Sequence, residues 1–241
     1  MVKFEISGEL FRESLKGAAL AKSTKPFMEL VKIEAKKDLG LIMKSIDLSS
    51  VIMSYVLIRP EQTNIVEEGE IYVEPKDIIN VLSKVFRKNV VTFETDEERF
   101  YIKTSEGDKW YDMLSDSEID FPTDFEIKDG YPVPKNVEFA TVVKVTETPT
   151  LIDTASKIEM IVENGKCKLK MGDEISGLIK NISMRCSGEN LTVNLDTEYI
   201  KRILDMMKGE FVISANSDVI YVMNPRDWGV VGYLLVTSSE E

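Results

Sequence analysis

The chain contains no histidine. The commonest general base and the commonest metal ligand are therefore missing, along with the side chain that ordinarily titrates near neutral pH. Cysteine is scarce: Cys167 and Cys186 stand alone in 241 residues. They form no Cys-x-x-Cys pair or zinc-type spacing, and a disulfide framework would need more cysteines at regular spacing. Two reduced thiols among strand-like residues are the expectation, in keeping with an intracellular compartment. Long apolar runs are absent as well. Segments such as Val51-Ile52-Met53 and Val230-Val231 fall far short of the ~20 apolar residues of a membrane helix. The opening Met1-Val2-Lys3-Phe4-Glu5-Ile6 alternates like a strand and lacks the apolar stretch of a secretory signal.

Positive charge is in deficit. Acids outnumber bases 42 to 30, a net charge of −12. That balance argues against a protein that grips nucleic acid over its whole surface, so any such contact must come from a local basic stripe. No nucleophile–base pair, phosphate-binding glycine loop or metal-ligand spacing stands out, so neither an enzyme nor a cofactor is expected. The acid clusters, such as Glu94-Thr95-Asp96-Glu97-Glu98 and Gly172-Asp173-Glu174, read as solvated turns. What is present in quantity is apolar material, 43% of the residues, enough for an ordinary globular core.

That material is arranged twice, at a shift of about 120 residues. Glu70-Ile71-Tyr72-Val73 reads like Asn190-Leu191-Thr192-Val193, Val91-Thr92-Phe93 like Phe211-Val212-Ile213, Phe100-Tyr101-Ile102 like Ile220-Tyr221-Val222, and Met113-Leu114 like Tyr233-Leu234. Between the first two pairs each copy carries an amphipathic helix. Ile78, Ile79, Leu82, Val85 and Phe86 make one apolar face, and Ile200, Ile203, Leu204 and Met207 make the other. Each copy also opens with a strand and a helix. Lys3–Ile6 leads through a Ser7 cap into a helix from about Glu9 to Lys22. Val142–Val145 leads through Thr148-Pro149 into a helix expected to reach about Lys157. Runs of strands fill the space between: Leu30–Ala35, Leu41–Ser45 and Val51–Ile58, then Ile158–Glu163, Lys168–Met171 and Gly177–Met184. Each unit reads β-α-β-β-β-β-α-β-β-β. Residues 115–136 hold three prolines, a glycine, six acids and two lysines, a connector by composition. The expected domains are 1–114 and 137–241.

Several strings then carry a family likeness. Ser45-Ile46-Asp47-Leu48-Ser49-Ser50-Val51-Ile52-Met53 is similar to an Asp-Ser-Ser-x-Val segment, with Leu48 in place of the first serine. Val133-Pro134 and Glu138–Lys144 are similar to the end of an interdomain connector and the strand after it. Gly232–Glu241 is similar to a Tyr-Leu-Ala-Pro-x tail with trailing acids, with Leu235-Val236 where Ala-Pro stands. A strand-opening Pro-Leu is missing after Asp218-Val219. With the repeat and the connector, these strings make the whole chain resemble the proliferating-cell-nuclear-antigen (PCNA) type of DNA sliding clamp, as a diverged archaeal or viral-like member.

The resemblance implies an α+β fold of two repeated β-α-β domains of the DNA-clamp type, helices lining one side and antiparallel sheets the other. It implies a processivity factor that encircles duplex DNA as a trimeric ring, a homotrimer by expectation, and tethers replication and repair enzymes. The grip would be on phosphates and independent of sequence. The basic residues that would face DNA are Arg12, Lys16 and Lys22, then Lys76, Lys84, Arg87 and Lys88, then Lys201, Arg202 and Lys208, with only Lys157 from the third helix. Subunits would join by edge strands carrying Lys109, Tyr111 and Met113 on one side and Leu178, Lys180 and Ile182 on the other. A partner-peptide pocket would draw on Ile46, Val51, Met53, Val133, Pro134, Phe139, Tyr233 and Leu235. The implied partners are a DNA polymerase, a clamp loader, and a ligase or flap nuclease bound through short peptides, with no membrane. The implied location is cytoplasmic and nucleoid-associated, or nuclear. Two other readings stay open: a non-ring clamp-like scaffold or checkpoint-type subunit, and a DNA-processing hydrolase. A heterotrimer with related chains also stays open.

Overall fold

The computed structural model describes residues 1–22, 25–84, 89–104, 107–112, 121, 123–151, 155–172, 177–183 and 185–237. They divide into two compact units, Met1–Pro122 with Arg226–Val231, and Thr123–Pro225 with Gly232–Glu241.

The first unit begins with strand Lys3–Ser7 (β1), in which buried Phe4 and Ile6 alternate with half-exposed Lys3 and Glu5, the period of a strand with one wet face. Ser7 ends the strand and caps helix Gly8–Ala18 (α1), its hydroxyl oxygen accepting from the Leu10 N–H at 3.5 Å. Strands Val31–Lys36 (β2), Gly40–Ile46 (β3), Ile52–Ile58 (β4), Thr63–Glu67 (β5) and Gly69–Val73 (β6) follow. Helix Pro75–Lys84 (α2) opens with proline, whose missing N–H has no partner to lose in a first turn. Strands Val90–Thr95 (β7), Arg99–Thr104 (β8) and Gly107–Asp112 (β9) complete the unit. Strand orders are β5-β1-β7-β8-β9 and β4-β3-β2-β6, all antiparallel. Four rings make the centre of its core. Phe93 lies 4.1 Å from Phe11, 4.9 Å from Phe4 and 5.5 Å from Phe100, centroid to centroid. Ile78, Ile79 and Leu82 bury the inner face of α2.

The second unit holds a hairpin, Phe125–Lys128 (β10) and Tyr131–Pro134 (β11), turned at Asp129-Gly130 with φ of 53° and 79°. Positive φ at both central residues is the turn that suits a right-twisted hairpin, and Asp-Gly is made for it. Then come Thr141–Val145 (β12), Lys157–Glu163 (β13), Lys166–Gly172 (β14), Gly177–Ser183 (β15), Cys186–Gly188 (β16) and Leu191–Leu195 (β17). Helix Thr197–Met206 (α3) is capped by Asp196, whose carboxylate accepts from the N–H groups of Glu198 and Tyr199 at 2.9 and 3.1 Å. Phe211–Ala215 (β18), Val219–Arg226 (β19) and Gly229–Val236 (β20) end the chain's regular structure. Strand orders here are β15-β14-β13-β17 and β16-β12-β18-β19. Strand β20 begins among residues of the first unit and ends among those of the second.

The class is α+β, antiparallel sheets with few helices, and the duplication is visible strand by strand. The order β5-β1-β7-β8 matches β16-β12-β18-β19, and β4-β3-β2-β6 matches β15-β14-β13-β17. Two expectations need correction. Each unit has a strand that the sequence reading lacked, β5 and β16, in the same place beside the opening strand, and the segment read as a connector adds the β10–β11 hairpin to the second. The expected helix from Thr148 to Lys157 is not found where it can be checked. Residues 146–151, 155 and 156 lie outside any helix, 152–154 lie outside the described residues, and Lys157 opens β13. Pro149 is instead buried among Met160, Leu169, Ile200 and Leu204, so the proline serves the core as a packed ring, and proline at this place is a local signal that permits a first helical turn without requiring one.

Candidate nucleic-acid face and assembly edges

The helices position the basic residues, and their surroundings divide these residues sharply. Arg12 is only 8% exposed. Its guanidinium donates to the Glu13 carboxylate at 2.9 Å and to the Ser83 hydroxyl of α2 at 3.3 Å, while its Nε has no partner among the described residues. It joins α1 to α2 rather than facing solvent, which corrects the sequence expectation for this residue. Lys16 lies 3.6 Å from the same Glu13 carboxylate. Lys22 and Lys76 are exposed. Lys201 and Arg202 are half-buried on α3, with Arg202 paired to Glu198 one turn earlier at 2.7 Å, and Lys208 is exposed just past the helix end. Lys157 stands on a strand, 3.4 Å from Glu159. Arg87, Lys88 and the side chain of Lys84 lie outside the described residues. Acids share these faces: Glu9 and Glu13 on α1, Asp77 on α2, Glu198 and Asp205 on α3. The result is a mixed surface with local cations rather than a continuous basic stripe.

The strand edges are clearer. Among the described residues β9 is the outermost strand of its sheet and β15 the outermost of another. Their main-chain donors and acceptors on that side are open to a new strand. Both carry exposed apolar side chains, Trp110 at 53% on β9 and Leu178 and Ile179 at 46% and 62% on β15. The Arg99 guanidinium lies 4.2 Å above the Trp110 ring. Of the nominated edge residues, Lys109 is exposed, Tyr111 and Lys180 are partly so, and Met113 lies outside the described residues. Burial and the nearby Asp77 push the Tyr111 phenol up from its ordinary value. Ile182 is a correction: it is buried in the unit's own core with Met160 and Leu169. Beside β9 a cleft of about 340 Å³ is walled by Glu74, Asp77 and Asp112. Beside β15 one of about 530 Å³ holds Lys144, Lys180 and Arg185 with Glu147 and Glu210. The equivalent of β15 in the first unit, β4, does not end open. There the Trp228 carbonyl accepts the Arg59 N–H at 3.0 Å, and a Cβ on Gly229 would fall 1.8 Å from the Leu57 carbonyl oxygen.

No family model and no curated protein matches the sequence. Solved structures do match. The PCNA of A. fulgidus, solved with the C-terminal region of FEN-1, superposes at a TM-score of 0.77 with 14% identity over 100% of both chains. A chain of the PCNA2–PCNA3 complex from Sulfolobus tokodaii superposes at 0.73 with 17% identity, over 99% of this chain and 100% of that one. The fold is that of a PCNA-type sliding clamp.

On this clamp fold the residues nominated for a partner-peptide pocket fall into two groups. In the first unit Ile46 and Met53 face each other across the β3–β4 register, Ile46 half-buried and Met53 buried, with Val51 half-buried in the turn between them. In the second unit Val133 and Phe139 are half-buried, whereas Pro134, Tyr233 and Leu235 are buried. The turn before β4 is held by Asp47, which is 8% exposed. Its carboxylate accepts from the N–H groups of Val51 and Ile52, each at 2.8 Å, and of Ser49 at 3.2 Å. Leu48 at the tip of that turn is 91% exposed.

A residue not singled out in the sequence, Tyr221, fastens the β10–β11 hairpin. Its hydroxyl donates to the Pro132 carbonyl at 2.8 Å, and its ring lies 5.8 Å from Phe125 and 6.3 Å from Phe139. Gly232 makes room for it: a Cβ there would fall 2.5 Å from the Tyr221 hydroxyl oxygen and 2.9 Å from its ring. Gly232→Ala is therefore expected to displace the phenol and destabilise the protein by about 1–3 kcal/mol, as overpacking does. Thermal melting measures this, and Gly232→Ala combined with Tyr221→Phe, which removes the clashing oxygen, should recover part of the loss.

Proposed function

We propose that the protein is a non-catalytic sliding clamp. Three copies close head to tail, β9 of one against β15 of the next, around duplex DNA, and the ring tethers replication and repair enzymes through short peptides. The observation that carries this reading is the pair of open edges on a clamp fold whose equivalent edge at β4 is already closed within the chain. Their surroundings differ in charge, acidic in the cleft beside β9 and with three cations to two acids in the cleft beside β15, which favours one orientation of pairing. The A. fulgidus clamp was solved with the C-terminal region of FEN-1, which supports a flap nuclease as one tethered partner.

Light scattering at micromolar concentration is expected to give three times the 27.3 kDa chain mass. On that ring, Lys76→Glu with Lys201→Glu should shorten retention on circular duplex DNA roughly tenfold or more, because every copy loses phosphate contacts, while the trimer persists. Unchanged retention would remove these helices from the DNA contact.

A second reading has its own observation. The S. tokodaii chain was solved in a PCNA2–PCNA3 complex, which supports β9 and β15 each taking a related chain rather than a copy. A monomer alone that forms a trimer only on mixing with such chains would favour it.

A further inference from the structure

Cys167 lies on the buried face of β14 and is 0% exposed. Its register partner is Ser183 of β15, at the point where the β14–β15 register slips. Cys186 opens β16, and its N–H donates to the carbonyl of Gly165, two residues before Cys167, at 3.0 Å. Ser183 sits between them. Its hydroxyl donates to the Lys144 carbonyl at 2.6 Å and accepts from the Arg185 N–H at 3.1 Å. The two thiols lie close enough for each to shift the other's titration, Cys186 helping to raise Cys167 and Cys167 helping to lower Cys186. Both cysteines are free thiols. They stand on strands of the two different sheets of the second unit, β14 in one and β16 in the other.

We propose that Cys167 and Cys186 are a redox-active dithiol that closes to a disulfide, clipping the two sheets together, by exchange with a small-molecule disulfide. The partners have unequal roles. Burial pushes the Cys167 thiol up to about 12, so it stays protonated and is a poor attacker. Cys186 is half-buried, and the hydrogen bonds from Ser183 and Cys167 offset part of the rise that burial imposes on it. The Cys186 thiolate attacks one sulfur of the small disulfide, a mixed disulfide forms, and one small thiolate leaves. The Cys167 sulfur then attacks the Cys186 sulfur, the mixed bond breaks, and the second small thiolate departs with the Cys167 proton. Two protein thiols are oxidised and one small disulfide is reduced to two thiols. The new bond closes a loop of about 20 residues, which should raise Tm by roughly 5–10 °C.

The test treats the folded protein with oxidised glutathione and reads intact mass, free thiols and melting. The expected product is lighter by two hydrogen atoms, has no free thiol after denaturation, yields a Cys167–Cys186 cross-linked peptide, and melts higher. Cys167→Ser should stop at a glutathione adduct on Cys186, and Cys186→Ser should take no adduct while folded. An unaltered chain that stops at the same adduct, cross-links only between chains, or reacts only once unfolded overturns the proposal. Mass is read whatever the oligomeric state, so the result is independent of whether the chain forms a ring.

Discussion

Leu178→Asp combined with Ile179→Asp is expected to turn the proposed trimer into monomers without unfolding them. Both side chains are about half exposed in the single chain, at 46% and 62%, so the fold loses little when they change. Successive residues of a strand point to opposite faces, so together they flank the open edge of β15 on both sides. A strand added there would cover what is now exposed. Covering about half of each side chain is worth roughly 2–3 kcal/mol per junction, or about 30–150-fold in the pairing constant. The new carboxylates would also meet the acids of the cleft beside β9, Glu74, Asp77 and Asp112. Trp110→Asp on β9 should have the same effect from the other side. Mixing the two variants sharpens the test. A head-to-tail junction uses a different patch on each partner, so each variant keeps one sound edge, and the mixture should stop at dimers. Two variants that remain trimeric by light scattering would show that the copies do not join through these strands.

How much of this was legible in the sequence depends on how local the signal was. The repeat could be read because each strand of the Val91–Phe93 and Phe211–Ile213 kind marks its buried face by alternation, and each helix of the Ile78–Leu82 and Ile200–Leu204 kind by turn spacing. Strand β16 is three residues of Cys-Ser-Gly, and β5 has no fully buried position. Such strands exist because β12 and β1 offer them an edge, a fact about neighbours that no period displays. The β10–β11 hairpin did carry a local signal, Asp129-Gly130, but acids and prolines around it made the segment read as a connector. Arg12 shows the opposite failure. A single helix pattern placed a cation on a polar face, and only the approach of α2, with Ser83 against the guanidinium, encloses it. Ile182 was misplaced because its strand was taken as an edge throughout, whereas its last two residues are buried. The candidate edges β9 and β15 followed from the resemblance. Their exposed Trp110, Leu178 and Ile179, the features that make them testable, came from the fold.

Phe93→Ala is expected to cost about 3–5 kcal/mol, the range for deleting a buried ring. The cost should lie toward the upper end because the neighbours cannot fill the gap. Phe4, Phe11 and Phe100 surround the ring at 4.9, 4.1 and 5.5 Å, and rigid rings collapse into a void less readily than flexible side chains do. The repeat supplies its own control. The equivalent position in the second unit is Ile213, 4% exposed and set among aliphatic side chains such as Ile200 and Ile220. Fluorescence separates the two. Both tryptophans, Trp110 and Trp228, belong to the first unit, so their emission follows that unit's unfolding. Phe93→Ala should lower the fluorescence midpoint in urea by about 1–2 M. Ile213→Ala should shift the far-ultraviolet circular dichroism transition by an amount comparable to or smaller than that. If the two units unfold as one, Ile213→Ala moves the fluorescence midpoint as well; if they unfold separately, it leaves that midpoint where it was. A Phe93→Ala midpoint within about 0.3 M of the unaltered protein would mean that the four rings are not close-packed in solution.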